Sequence, residues 1–359
     1  MESATPNHGT IVVPVDELCE RIASIVATKG APAVVADEVA RHLVRAQQSG
    51  HASHGVLRLV QYISEIESGQ LDPRARAEVV SRAGAAAVVD GHMSFGQYAA
   101  SVATDEAIAA AERLGVGIAT IRNSTHVGRL GEYAERIAER GLIGLMQVGA
   151  VGLGVGGMRP FGSVAPEPYL NTNPWCISVP AQPGPVVFDG SMTTIAEGKV
   201  HAARDKGETL PEGGIIDADG NPSTDPADYY AGGSLLPLGG AVAGHKGYGL
   251  ALTAALLGGL AYADGSPAIL RGIAPVRHAD GAPSSLGGVT ITAIDPSMFG
   301  DRAAYAEAVT RTVAAIRATG ALVPGDMEYR NREAAKASVE VPSTTMGDLL
   351  ALERQVSIR

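Results

Sequence analysis

The run Gly152-Leu153-Gly154-Val155-Gly156-Gly157 has the G-x-G-x-x-G spacing of a dinucleotide-binding loop, and it follows a strand-like stretch ending at Val148. That spacing cradles a pyrophosphate only if a helix starts at the glycines, so that free N–H groups face the phosphates. Here the chain continues Met158-Arg159-Pro160-Phe161-Gly162. Pro160 and Gly162 leave no room for that helix. The glycines read as a close-packed loop, and a doubly wound parallel sheet is not expected.

The rest of the pattern agrees. Val15–Thr28, Pro32–Gln48 and Val56–Ser68 carry apolar residues at helical spacing, so the first 75 residues form a helical region. Strand-like stretches at 77–90, 117–121, 142–148, 175–179, 186–188 and 289–294 mix with helical ones at 98–113, 130–140, 302–318 and 344–354, the last with Ser343 as its N-cap. Residues 207–240 read as irregular connection, and 247–263 as a buried apolar helix. The expected class is mixed α/β (α+β). Expected regions are 1–75 helical, 76–125 with 300–359 a mixed substrate-binding core, and 126–299 cofactor-binding.

Composition removes several functions. The net charge of −10 argues against a nucleic-acid or anionic-membrane partner, and no Lys/Arg run is longer than two residues. A membrane span needs about 20 apolar residues, and the run at 247–263 is shorter and rich in Gly and Ala. Two cysteines, Cys19 and Cys176, make no disulfide framework, and no C-x-x-C occurs. No basic stretch followed by an apolar run opens the chain, which is read as cytoplasmic. His51 and His54 lack an acidic or Cys partner at ligand spacing, so no metal is expected. Nucleophile-elbow, H-E-x-x-H and P-loop motifs are absent.

Four stretches carry chemistry. In Ser53–Arg58 (SHGVLR), His54 and Arg58 share one helix face, and a guanidinium fork suits a small carboxylate. In Asn123–Tyr133 (NSTHVGRLGEY), His126 precedes a Gly-Arg turn that opens a helix. It reads as a base, an anion-binding turn or loop punctuation. Val187-Phe188-Asp189-Gly190-Ser191 is a strand ending in a carboxylate able to accept ribose hydroxyls or to cap a turn. His245 and Lys246 stand at the start of the apolar helix, where anions are favoured. Gly325-Asp326-Met327-Glu328 reads by itself as an acidic turn.

Taken together, SHGVLR, NSTHVGRLGEY, the RPFGS and NTNPWCISVP runs, FDGSMTTIAEGK, GHKGYG and VPGDMEYR resemble, in order, the malate/L-lactate dehydrogenase family of the second, non-Rossmann type. The resemblance is greatest to the hydroxycarboxylate dehydrogenase B group. It implies a largely antiparallel cofactor-binding sheet, a homodimer, and NAD(P)-dependent interconversion of a 2-hydroxy acid and its 2-oxo acid. It implies His126 as the proton-transfer group and Arg58 as the carboxylate clamp, with Ser53 and Lys246 added to the catalytic set. His54, Gly128, Arg129, Leu130, Val187, Phe188, Asp189, Gly190, Ser191, His245, Gly325, Asp326, Met327 and Glu328 match cofactor-contacting positions. NAD is preferred to NADP on the ground that Asp189 would repel a 2′-phosphate.

Departures bear on the substrate. The family's D-x-A-T-S run reads Asp189-Gly190-Ser191-Met192-Thr193-Thr194, and Gly287 stands where the hydroxycarboxylate group has Asn. Arg58 is kept here but not in that group, which favours small 2-hydroxy acids such as malate or lactate. The alternatives are reduction of a cyclic imine carboxylate and, in another class, a non-catalytic small-molecule binder. Arg129 is expected to present its side chain to the cofactor's phosphates.

Overall fold

The computed structural model describes residues 9–152, 156–164, 167–266 and 286–357. In chain order the elements are β1 (Thr10–Pro14), α1 (Val15–Thr28), α2 (Ala33–Gln48), a 3-10 turn (Ala52–His54), α3 (Arg58–Glu67), β2 (Glu78–Ala83), β3 (Ala86–Asp90), α4 (Gly96–Leu114), β4 (Val116–Arg122), α5 (Leu130–Glu139) and β5 (Ile143–Val151). Then follow β6 (Trp175–Val179), β7 (Val186–Gly190), α6 (Glu197–Lys206), β8 (Ile215–Ile216), β9 (Pro222–Ser223), α7 (Pro226–Tyr230), β10 (Ser234–Leu235) and α8 (Gly240–Gly258). β11 (Leu286–Ile294), α9 (Arg302–Ala318), α10 (Asp326–Ala334), β12 (Ser338–Pro342) and α11 (Ser343–Ser357) complete the chain.

The helical region forms because α1 buries Leu18, Ile22, Ile25 and Val26 on one stripe and α2 answers with Val35, Val39 and Leu43. The chain's other end closes it. β12 pairs antiparallel with β1, and Val339, Val341, Leu349 and Leu352 join the same core.

The main sheet has seven strands in the order β2-β3-β4-β11-β5-β6-β7. Only β3 and β4 run parallel; the other neighbouring pairs are antiparallel. The sheet takes β2 to β4 from one side of residue 125 and β5 to β7 and β11 from the other. α4 and α5 cover one face, burying Ala103, Ala107, Tyr133 and Ile137 against Ile121, Met146 and Ile291.

Within the glycine run, 153–155 lie outside the described residues. Beyond it Met158 bridges to Leu170 and Leu235, and residues 161–162 turn, so no helix follows. β5 is antiparallel to both its neighbours, unlike a dinucleotide-loop strand.

α8 departs from the buried helix expected. Its small residues Gly247, Ala251, Ala254, Ala255 and Gly258 face the sheet, while Leu250 (42%), Leu256 (50%) and Leu260 (49%), just beyond its end, stay exposed. The approach is close: a Cβ on Gly149 of β5 would lie 2.4 Å from the Ala255 nitrogen. Small residues bring the backbones together, and that turns the large ones outward. The irregular 207–240 segment contains α7 and a small sheet of β8, β9 and β10, whose two-residue strands are too short to show a period.

Candidate active site

The loop joining β4 to α5 holds His126, and almost every residue of it is tied down. Asn123, at φ 51°, donates from Nδ2 to the Asp90 carboxylate at 3.0 and 3.1 Å. Thr125 Oγ1 donates to Ser94 O and accepts from Gly96 N. Tyr133 Oη donates to Val127 O at 2.6 Å, and the Arg129 N–H donates to His42 Nε2 at 2.8 Å. Gly128 sits at φ 81°, and a Cβ there would lie 2.0 Å from His42 Nε2, so only glycine makes this turn.

The loop borders a cavity of about 310 Å³. His54, Asn123, Ser124, His126, Gly128, Leu130, Tyr262 and the glycines 149, 287 and 288 are among the residues that line it. His126 Nδ1 is bonded to Tyr62 Oη at 2.8 Å, and the His54 ring stacks on the His126 ring at 5.4 Å. Burial, then Arg58, His54 and His42, hold the His126 imidazole well below its usual range. His54, bonded through Nδ1 to Ser53 Oγ at 3.0 Å, is pushed down to about 4 by burial and by Arg58. Both rings rest neutral.

Arg58 starts α3 beside this pair. Nε donates to the Ser53 carbonyl at 2.5 Å and Nη1 to Gln61 Oε1 at 2.6 Å. Among the described residues it has no carboxylate partner, and it does not line the cavity itself.

Two expectations are corrected. The Arg129 guanidinium is turned inward: its side chain is 2% exposed, and Nη2 donates to Glu135 Oε1 at 2.8 Å. Arg332 and Arg45 reach the same Glu135, which stays ionised because Arg129 and Arg332 outweigh its burial. The Asp189 carboxylate is likewise engaged within the protein. Oδ2 accepts the Gly131 N–H at 2.7 Å, capping α5, and lies 4.0 Å from Arg129 Nε. The Arg129 and Gly131 N–H groups at the opening turn of α5 are thus both satisfied from within.

The other expected cofactor positions are spread over several elements. Val187 donates its N–H to Pro324 O, next to Gly325. Glu328 Oε1 meets His51 Nε2 at 3.0 Å, whereas Asp326 is engaged by Arg317 and the Val323 N–H. Phe188 and Met327 are exposed, and Ser191 Oγ accepts from Thr193 Oγ1 at 3.2 Å. His245 and Lys246 are exposed one turn inside α8, just past a kink at Ala243, and His245 packs edge-on against Phe161. None of these lines the cavity. Sequence reasoning gave no role to Tyr62, Gln97, Asn123 or Tyr262. The spacing of Arg58 and Tyr62, four apart on α3, was the one available signal.

The family profile described as malate/L-lactate dehydrogenase matches residues 13–350. The chain belongs to the malate/L-lactate dehydrogenase family. The malate dehydrogenase of Pyrococcus abyssi is 36% identical over 262 residues, 72% of this chain and 71% of that protein. A Delta(1)-pyrroline-2-carboxylate/Delta(1)-piperideine-2-carboxylate reductase of Pseudomonas putida is 34% identical over 346 residues, 93% of this chain and 94% of its own length. The structure of sulfolactate dehydrogenase from Methanocaldococcus jannaschii superposes with a TM-score of 0.82 at 27% identity, covering 97% of this chain and 98% of that one. Membership makes the protein an oxidoreductase of hydroxy acids that works with a nicotinamide cofactor.

The cavity fits the reacting end of that cofactor. About 310 Å³ lies at the low end of the roughly 300–1,000 Å³ usual for small-molecule sites, room for a nicotinamide ring and a short acid but not for a whole dinucleotide. Asn123 lines the cavity, and its buried Oδ1 has no hydrogen bond among the described residues, an acceptor suited to a carboxamide N–H. Among the described residues no His, Cys, Asp and Glu cluster is placed to hold a metal, and no helix is long and apolar enough to cross a membrane.

Proposed function

We propose that the protein is an NAD-dependent 2-hydroxycarboxylate dehydrogenase in which His126 moves the hydroxyl proton and Arg58 clamps the carboxylate. One observation carries the reading: the His126 ring is anchored at Nδ1 by a buried tyrosine and borders the cavity, with no hydrogen bond on Nε2 among the described residues. Asn123 and the backbone at 149–150 and 287–288 would hold the nicotinamide, which supplies the hydride acceptor or donor when bound.

The chain's own residues do the rest. Neutral His126 is ready to take a proton as a 2-hydroxy acid is oxidised. A substrate carboxylate seated against the remaining N–H groups of Arg58 offsets the positive field around the ring. That raises the imidazole towards working pH, so the same ring returns a proton when a 2-oxo acid is reduced. His54, kept neutral, packs His126 in place without adding charge.

The expected positions at Ser191, His245 and Glu328 mark the proposed path for the rest of the dinucleotide, with Gly128 and Leu130 lining the cavity itself. Asp189 no longer argues for NAD. Glu328 does: bonding to His51 holds its carboxyl below the usual range, and a carboxylate there disfavours a 2′-phosphate. A homodimer is proposed on the exposed leucines of the α8 face. Two free thiols suit a reducing compartment such as the cytoplasm.

The full-length similarity to a pyrroline/piperideine carboxylate reductase favours a second reading, cyclic imine reduction at the same His and Arg. The deciding experiment is a spectrophotometric panel of 2-oxo acids and cyclic imine carboxylates against NADH and NADPH. Turnover of malate- or lactate-type 2-oxo acids with NADH is expected. Turnover of imines alone moves the assignment to the second reading, and no binding of either cofactor removes both.

A further inference from the structure

Behind His126, away from the cavity, α3 and α4 bring two buried polar side chains together. Tyr62 and Gln97 are 1% and 0% exposed. Gln97 Nε2 donates to Tyr62 Oη at 2.6 Å, and Tyr62 Oη lies 2.8 Å from His126 Nδ1. Gln97 Oε1 is buried with no hydrogen bond among the described residues. A half-turn of the amide exchanges that oxygen for the nitrogen at the Tyr62 hydroxyl.

The group behind a catalytic imidazole is often a carboxylate, which fixes the tautomer and supports the imidazolium. The groups acting electrostatically on His126 are Arg58 on α3, His54 on the 3-10 turn and His42 on α2, each positive or neutral. Its bonded partner is a hydroxyl, which both donates and accepts.

We propose that Tyr62 and Gln97 form a two-state hydrogen-bond switch that selects which nitrogen of His126 carries the proton. In one state the Gln97 amide N–H donates to Tyr62 Oη and the Tyr62 O–H donates to Nδ1. The proton of the neutral ring is then on Nε2, facing the cavity. In the other state Nδ1–H donates to Tyr62 Oη and the Tyr62 O–H donates to Gln97 Oε1, leaving the Nε2 lone pair to the cavity as the base. During oxidation the substrate O–H bond breaks and its proton joins Nε2, while the C–H electron pair leaves as hydride to the nicotinamide. The imidazolium so formed keeps the second state's bonds unchanged. Gln97 Oε1 has no partner in the first state because it is the acceptor of the second. Tyr62 and Gln97 are positioning residues, and this inference rests on the proton-carrying role of His126 given above.

The test is the pH dependence of kcat for hydroxy-acid oxidation in Tyr62→Phe, Gln97→Met and His126→Asn proteins. Without an acceptor for Nδ1–H the imidazolium is harder to form. Tyr62→Phe is expected to lower kcat about 10- to 100-fold, the scale of one hydrogen bond to a charged group, with KM values within about twofold. The acidic limb of its profile moves to lower pH. Gln97→Met moves both in the same direction by less, and is read alone if Tyr62→Phe does not fold. An unchanged kcat, or a lower kcat with an unmoved limb, overturns the switch provided His126→Asn is inactive. An active His126→Asn protein instead overturns the role of His126 itself.

Discussion

An arginine beside a histidine turn invites a phosphate, yet Arg129 spends its charge on Glu135 and Asp189 inside the protein. Removing it takes from Glu135 one of three arginine partners, Arg45 and Arg332 remaining. Arg129→Ala is expected to cost about 2–3 kcal/mol in urea unfolding, the scale of a lost hydrogen bond between charged groups. Unchanged stability with a tenfold weaker NADH affinity would restore the phosphate role. Arg58 is the opposite case, a guanidinium with N–H groups to spare beside the cavity. Arg58→Lys keeps the charge and loses the fork. It is expected to lower kcat/KM for 2-oxo acids about 10- to 100-fold, mostly through KM, in initial-rate assays. Indifference to the change would remove the clamp.

At the level of elements, α2 reaches across to hold the start of α5 through His42, which must stay neutral to accept the Arg129 N–H. Burial, then Arg129, lowers its pKa from 6.5 to about 3. Between those values the unfolded chain takes up a proton that the folded one refuses. Stability is therefore full above pH 6.5 and falls as pH drops towards 3, by about 2 kcal/mol from His42 at pH 5. Urea unfolding at pH 7 and pH 5 measures the slope, and His42→Gln is expected to flatten it. The motif carrying His126 was legible in sequence because its chemistry is local: a histidine, a glycine turn and a helix start. His42, Tyr62 and Gln97 were not, because each meets the loop only through tertiary packing. β1 and β12 pair across the whole chain, which no local pattern announces. α8 was legible as a helix but not in its burial, since small residues mark close approach only once the sheet beneath is known.

For the whole molecule, the rejected glycine motif and the antiparallel neighbours of β5 agree: among the described residues no helix opens at the end of β5 to cradle a phosphate. The proposed site lies instead where the β4–α5 loop meets the N-terminal helical region, so its function would depend on the two packing correctly. The leucine face of α8 is the proposed subunit contact. Leu256→Glu, exposed and clear of the cavity, is expected to shift the protein from dimer to monomer in sedimentation equilibrium; a monomeric wild type would contradict the contact. The central claim is that His126 moves the proton in a hydroxy-acid oxidoreductase. Its most direct measurement is the rate of 2-oxo acid-dependent NADH oxidation by the wild-type and His126→Asn proteins, with folding checked by circular dichroism. The account predicts turnover by the wild type and a loss of about 10²–10⁴-fold in the variant. A folded variant with the wild-type rate would contradict it.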